Sequence, residues 1–286
     1  MTVTTTTTVA GAAPAAARPP LPAGLARLRW AVVDTATITK RNLIALRRMP
    51  EALFFSTLQP IMFVLLFRYV FGGAINAGPH LSYIDYLMAG IFVQSVAFGG
   101  IGSAVGLSED LHKGLIERFR ALPMARSAVL AGRTTADLTR NVFVVLLMTA
   151  VGALVGFDFP NGALPFIASA LLVLGLSYAL LWGFAFVGLV ASNSETAQVI
   201  AFPILFPLIF ASPAFVRPTS MPGWLRDFAN HQPLGVVINA TRALQVGPRA
   251  GLGSAGGLVL ESLAWIVGFL VVLVPLAVWR YRRSTG

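Results

Sequence analysis

The residues best placed to do work fall in one short run, SEDLHKGLIERFRALP, from Ser108 to Pro123. Ser108 can cap a helix, Glu109 and Asp110 then sit at the positive end of its dipole, and Arg118 and Arg120 sit near the negative end. Leu111, Leu115, Ile116, Phe119 and Leu122 form an apolar stripe, which leaves Lys113, Glu117, Arg118 and Arg120 for other contacts. The spacing predicts a short amphipathic helix whose chemistry is docking. It suits a groove on a soluble partner or the surface of a lipid layer. Catalysis has little to draw on: the chain contains no cysteine and only three scattered histidines, so neither a thiol nucleophile nor a thiolate metal site is available. No Gly-Lys-Ser or Gly-Lys-Thr occurs, so ATP is not held here by a phosphate loop of that kind.

Three further residues stand out because they lie in or beside apolar runs. Arg68 falls near the end of one such run and Glu261 near the start of another, both close enough to an interface to reach water. With Trp224, in the segment between runs five and six, they make a candidate outer gate. Asp137 and Arg140 precede the third run and could pair at i, i+3.

The elements that must position these residues follow from hydropathy. The 286 residues are 56% hydrophobic and 11% charged, with a mean hydropathy of +0.77, so most of the chain belongs in lipid. Six apolar stretches near 52–71, 84–107, 127–157, 164–190, 196–216 and 256–279 are long enough to cross a hydrocarbon core. The expected fold is an all-α integral membrane protein of six transmembrane helices spanning residues 50–280. Residues 1–24, a Thr, Ala and Pro tract, are expected to form a disordered cytoplasmic tail, and residues 281–286 a second tail.

Between the first tail and Pro50, Leu25, Leu28, Val32, Ala36, Thr39, Leu43 and Leu46 recur at helical spacing, with Lys40, Arg41, Arg47 and Arg48 among the basic residues. Residues 25–49 are therefore expected to form an amphipathic helix along an anionic membrane surface. Seven Lys or Arg precede the first span, six lie between Ser108 and Arg140, and three follow the last span, against four between spans five and six. That bias puts both termini in the cytoplasm of a multi-pass cell-membrane protein. It also assigns the net charge of +10 to membrane topology, with no nucleic-acid partner. The stretch from Arg217 to Gly247 would lie outside, too polar to span and too apolar to float free.

Three phrases carry a family resemblance: GLSEDLHKGLIERFRALPMARSAVLAGR, QPIMFVLLFRYVFGGAI from Gln59 to Ile75, and MPGWLRDFANHQPLGVVINATRAL from Met221 to Leu244. In order and spacing they resemble the permeases of type-2 ATP-binding-cassette exporters, in the daunorubicin-resistance-like drug-efflux branch, over roughly residues 30–280. The resemblance implies a permease with no cofactor of its own, paired with a second permease subunit, either the same chain in a homodimer or a paralogue, and driven by two copies of a separate subunit that holds ATP and Mg. It implies that Glu109, Asp110, Lys113, Gly114, Glu117, Arg118 and Arg120 form the coupling helix that meets that subunit. It also implies that the stretch from Arg217 to Gly247 is a re-entrant segment closing the outer end, and that the cargo is a hydrophobic or amphipathic drug, a lipid-like molecule or a lipid-linked polysaccharide. An ion-coupled transporter is the rival class. It would place carboxylates near mid-membrane, where these spans carry almost none.

Overall fold

The computed structural model describes residues 25–48, 50–75, 77, 81–113 and 126–284, and all regular structure among them is helical. α1 is Leu25–Arg47. α2, Pro50–Leu65, opens on a proline with Glu51 in its first turn, contains Pro60, and widens into a π-helical end over Leu66–Phe71. α3, Tyr83–His112, starts at Ser82, whose hydroxyl oxygen accepts from the Asp85 backbone N–H at 3.3 Å and donates to the Asp85 carboxylate at 2.6 Å. α4 is Arg126–Leu154 and α5 is Ala163–Val190. α6, Ser194–Phe210, is capped by Asn193, whose side chain accepts from Thr196 N at 2.7 Å. α7, Gly223–His231, and α8, Pro233–Val246, are short, and α9 is Ala255–Ser284.

Four of these helices, over Tyr83–His112, Ala128–Leu154, Ala163–Val190 and Ala255–Arg283, are long and apolar enough to cross a membrane. Thr57–Phe71 and Ser194–Phe210 are shorter apolar helices. At 1.5 Å per residue the 30 residues of α3 extend about 45 Å, longer than a hydrocarbon core of about 30 Å.

α3 and α5 form the centre. α3 packs on α5, α6, α4 and α8, and α5 also carries α9 and α8. Leu87, Met88, Ala89, Ile91 and Val93 in the N-terminal half of α3 are sealed from solvent, as are Leu176, Ala179 and Leu181 in α5. Lipid tails are as apolar as these side chains, so close packing rather than escape from water holds such helices together. Gly188 shows the requirement: a Cβ there would stand 2.5 Å from the Ala104 carbonyl oxygen, so only glycine lets α5 approach the α3 backbone. A second cluster, including Leu107, Leu130, Trp182, Leu189 and Tyr281, closes the end of the bundle where α3 and α9 finish and α4 begins. That end carries Lys113, Arg133, Arg280, Arg282 and Arg283, and is called the basic end below.

Two elements differ from the sequence expectation. The run expected to span 196–216 is helical only to Phe210: Ala211 N still donates to Pro207 O at 2.8 Å, but Pro213 has no N–H to carry the ladder on, and Ser212–Val216 is irregular. α1 packs on α4 through Ile38, 3% exposed and outside the apolar stripe read from spacing, and through Thr39, which belongs to that stripe, whereas Val32 of the stripe is 67% exposed. Gly132 makes room for this contact. Its missing side chain admits Ile38, and its carbonyl accepts from the Thr39 hydroxyl at 3.1 Å.

Candidate functional site

At the end opposite the basic one, the non-helical segment after α6 is buried, with Ser212, Ala214 and Phe215 at 5% exposure or less. Backbone carbonyls at such a depth need donors, and side chains from other elements supply them. The Tyr83 hydroxyl donates to Phe215 O at 3.2 Å. The Tyr86 hydroxyl shares its proton between Pro213 O at 3.0 Å and Val216 O at 2.9 Å. From the corner between α7 and α8, Gln232 Nε2 donates to Leu208 O at 2.7 Å.

Arg242, in α8, completes this arrangement. It is 1% exposed, and among the described residues no carboxylate pairs with it. Its Nη2 donates to Pro213 O at 2.6 Å, its Nε to Tyr86 O at 3.1 Å and its Nη1 to Asn239 Oδ1 at 3.2 Å. Neutral dipoles and the Tyr86 ring face thus take the place of a counter-ion. Sequence reasoning passed over Arg242 as one of four cations in an outer segment. The available signal was an arginine inside the apolar run from Leu234 to Leu244.

At the basic end, the last turns of α3 meet the first half of α4 through charge. Arg133 is hydrogen-bonded to Asp110 and lies 3.9 Å from Asp137, and the Ser103 hydroxyl donates to Asp137. These carboxylates and the guanidinium are largely buried, so solvent screens them little. Glu109 and Lys113 pair at 3.0 Å on the exposed side of α3. The i, i+3 pair of Asp137 with Arg140 does not form: Arg140 Nη2 instead donates to Gly99 O at 2.6 Å. Asp137 is held by the closer groups of Arg133 and Ser103.

Of the proposed coupling residues, Glu109, Asp110 and Lys113 lie at the end of α3, while Gly114, Glu117, Arg118 and Arg120 lie outside the described residues, as does the tract 1–24. Lys40 and Arg48 are exposed on and just after α1, Arg41 Nη2 donates to Asn42 Oδ1 at 2.9 Å, and Arg47 closes α1. The three outer-gate residues are spread apart in role. Arg68 sits half-buried in the π-helical end of α2, Glu261 is exposed on α9, and Trp224 is 73% exposed on α7. Among the described residues no ion pair joins Arg68 to Glu261.

Residues 34–246 match the family of ABC-2 type transporters. The chain is 33% identical to a daunorubicin resistance ABC transporter permease of Streptomyces coeruleorubidus, over 90% of this chain and 88% of that one. It is 27% identical to a doxorubicin resistance ABC transporter permease of Mycobacterium tuberculosis, over 74% of each. An all-helical bundle with long apolar spans, a charged end and a buried hydrogen-bonded closure at the other is what such a protein needs to sit across a membrane. The chain belongs to the ABC-2 type transporter family and is a multi-pass membrane permease, the transmembrane subunit of an ABC exporter.

Proposed function

We propose that this permease crosses a bacterial cell membrane six times, with both termini in the cytoplasm, and exports hydrophobic or amphipathic drugs of the kind in its relatives' names. The observation that carries the cargo class is the match along nearly the whole chain to a daunorubicin resistance permease. An apolar lining fits that reading: α2 exposes Phe54, Leu58 and Met62, and α6 exposes Phe202, Phe206 and Phe210.

α2 and α6 count as spans in this reading, although each is short. α2 reaches further through its π-helical end, and α6 through the buried segment to Val216. The stretch from Arg217 to Val246 is the re-entrant outer closure. Its support is the set of side-chain donors from α3, α8 and Gln232 that answer the irregular backbone after α6. The apolar faces of α2 and α6 receive a second permease subunit, a copy of this chain. α1 lies with one face on α4 and with Trp30, Val33 and Ile44 turned to the inner leaflet.

ATP and Mg are held by two copies of a separate subunit, which docks on the basic end. The run Glu109, Asp110, Lys113, Gly114, Glu117, Arg118 and Arg120 receives its motion, and the Asp110–Arg133–Asp137 cluster carries that motion from α3 into α4. Arg68, Trp224 and Glu261 rim the outer end. Gentle purification of the tagged chain from its host's membranes, with mass spectrometry of what accompanies it, tests the partnership. Recovery of a soluble protein with a Gly-Lys-Ser or Gly-Lys-Thr phosphate loop is expected. Repeated recovery of the intact chain without one would refute an ATP-driven mechanism.

A further inference from the structure

A cavity of about 120 Å³ with a mixed polar and apolar lining lies against the middle of α3, bounded by α2 and α4. Its walls include Gln94, Ser95 and Phe98 from α3 and Arg140 and Asn141 from α4. Gly99 and Gly102 also line it, and their missing side chains leave the space open. A Cβ on Gly102 would stand 3.3 Å from Arg140 Nη1.

The polar groups here are of unlike kinds and incompletely used. Gln94 is 3% exposed and Asn141 1% exposed, yet Gln94 Oε1 and Asn141 Oδ1 accept no hydrogen bond from the described residues. Asn141 spends its amide N–H groups on Ser177 Oγ at 2.7 Å and Val96 O at 3.4 Å, which fixes the direction in which its oxygen points. A buried acceptor left unpaired costs on the order of 1–3 kcal/mol, so two beside one cavity favour a donor that reaches them. Arg140 commits Nη2 to Gly99 O, and its guanidinium still fronts the cavity.

The cavity also leads somewhere. Phe98 on its wall lies 6.2 Å from Phe202, measured between ring centroids, and from there Phe206, Phe210 and Phe215 follow at 5.4, 4.3 and 5.6 Å. Phe215 stacks on Phe67 at 4.5 Å and 9° at the outer end of α2. A run of ring faces thus starts at the cavity and finishes at the buried closure.

We propose that the cavity between Gln94, Asn141 and Arg140 is a loading site for the polar end of an amphipathic molecule, one with a hydroxyl group beside an oxygen acceptor. The hydroxyl donates to Gln94 Oε1 or Asn141 Oδ1, the acceptor oxygen faces Arg140, and a flat apolar body lies along Phe98 and Phe202. Volume sets the division. Drug-sized ligands fill roughly 300–1,000 Å³, so this cavity holds only a polar end, or about four waters at roughly 30 Å³ each. This inference rests on the exporter reading for its cargo, but the same chemistry occurs in the headgroup of phosphatidylglycerol, which has hydroxyls beside a phosphate.

The test uses the full chain in phosphatidylcholine nanodiscs with daunorubicin as the fluorescent probe, since it carries hydroxyls beside carbonyls on a flat ring system. Gln94→Leu removes the acceptor at nearly constant volume, Gly102→Val fills the cavity, and Leu171→Ala, at an exposed site on α5, is the control. Each of the first two variants is expected to weaken binding roughly tenfold, and the control to leave it unchanged. Size-exclusion elution identifies a variant that has failed to fold, and the Gln94 variant then decides alone. A parallel arm counts phosphatidylglycerol retained in native mass spectrometry: loss of that lipid alone in the variants keeps the site and makes the lipid its ligand. Equal daunorubicin and lipid binding in wild type and both variants would overturn the proposal, because the cavity then holds water only. Variant-sensitive binding without ATP-dependent transport by the assembled complex would leave the site standing and refute the export reading instead.

Discussion

The guanidinium carbon of Arg242 sits 3.7 Å from the centre of the Tyr86 ring, so a cation on α8 is held against α3 by an aromatic face. The same arginine bonds the backbone oxygens of Tyr86 and Pro213, which makes it a tie among three separate elements.

Arg242→Met should lower stability by about 3 kcal/mol, since it removes charge-assisted hydrogen bonds from carbonyls that have little access to water. Arg242→Lys should recover little of this, because a single ammonium cannot reach Tyr86 O, Pro213 O and Asn239 Oδ1 together. Tyr86→Phe alone should cost about 1 kcal/mol. Denaturant titration of the purified chain measures all three, and a double variant of Arg242 and Tyr86 should fall short of the sum, since the two share Pro213 O.

Reversal of the charge pair at the basic end should separate fold from coupling. Asp110→Arg places two arginines together and should abolish ATP-dependent export at unchanged membrane abundance. The exchanged pair, Asp110→Arg with Arg133→Asp, should restore a measurable fraction. Transport assays in inside-out vesicles give the outcome, and an equal defect in the exchanged pair would show that the positions, not the attraction, matter.

The chain has no cysteine, so one introduced thiol reports on one place. Met62→Cys on the exposed face of α2 should form a disulfide-linked dimer under mild oxidation in native membranes, and Leu260→Cys on the exposed face of α9 should not. Non-reducing gel electrophoresis reads the result; the reverse pattern would move the subunit interface to α9.

Gly188→Val should prevent proper packing of α5 on α3. A side chain there meets the Ala104 backbone, which cannot step aside as a side-chain end could. A loss of about 1–3 kcal/mol is expected, read as a lower melting temperature and reduced yield of the folded monodisperse chain.

Much of the scaffold was legible in residue order. Apolar length locates α3, α4, α5 and α9, because burial in lipid is a local demand on composition, whereas Ser108, read as a helix start, lies inside α3, which runs on to His112 and puts Glu109 and Asp110 in its last turns. What sequence could not reveal depends on partners distant along the chain. The seat of Ile38 on α4 is made by Gly132, about ninety residues away. Arg140 looked like a partner for its neighbour Asp137, yet turns to Gly99 across the helix contact. Gln94 and Asn141 stand 47 residues apart in the sequence, and only packing of α2, α3 and α4 brings them to one cavity.

The segment between Ala211 and Val216 owes its shape to donors from α3, from α8 and from the turn before α8. Such a clasp behaves like a zip fastener with its teeth on different garments. If α8 draws back, Pro213 O loses Arg242, and the Tyr86 hydroxyl loses the fixed backbone it was answering. The partial openings would leave bare carbonyls in an apolar surround, so they lie higher in free energy than either a shut or a fully hydrated outer end. In the proposed topology this makes an outer mouth that is closed or open, with little time spent between, and leakage is resisted by the same bonds that hold the fold.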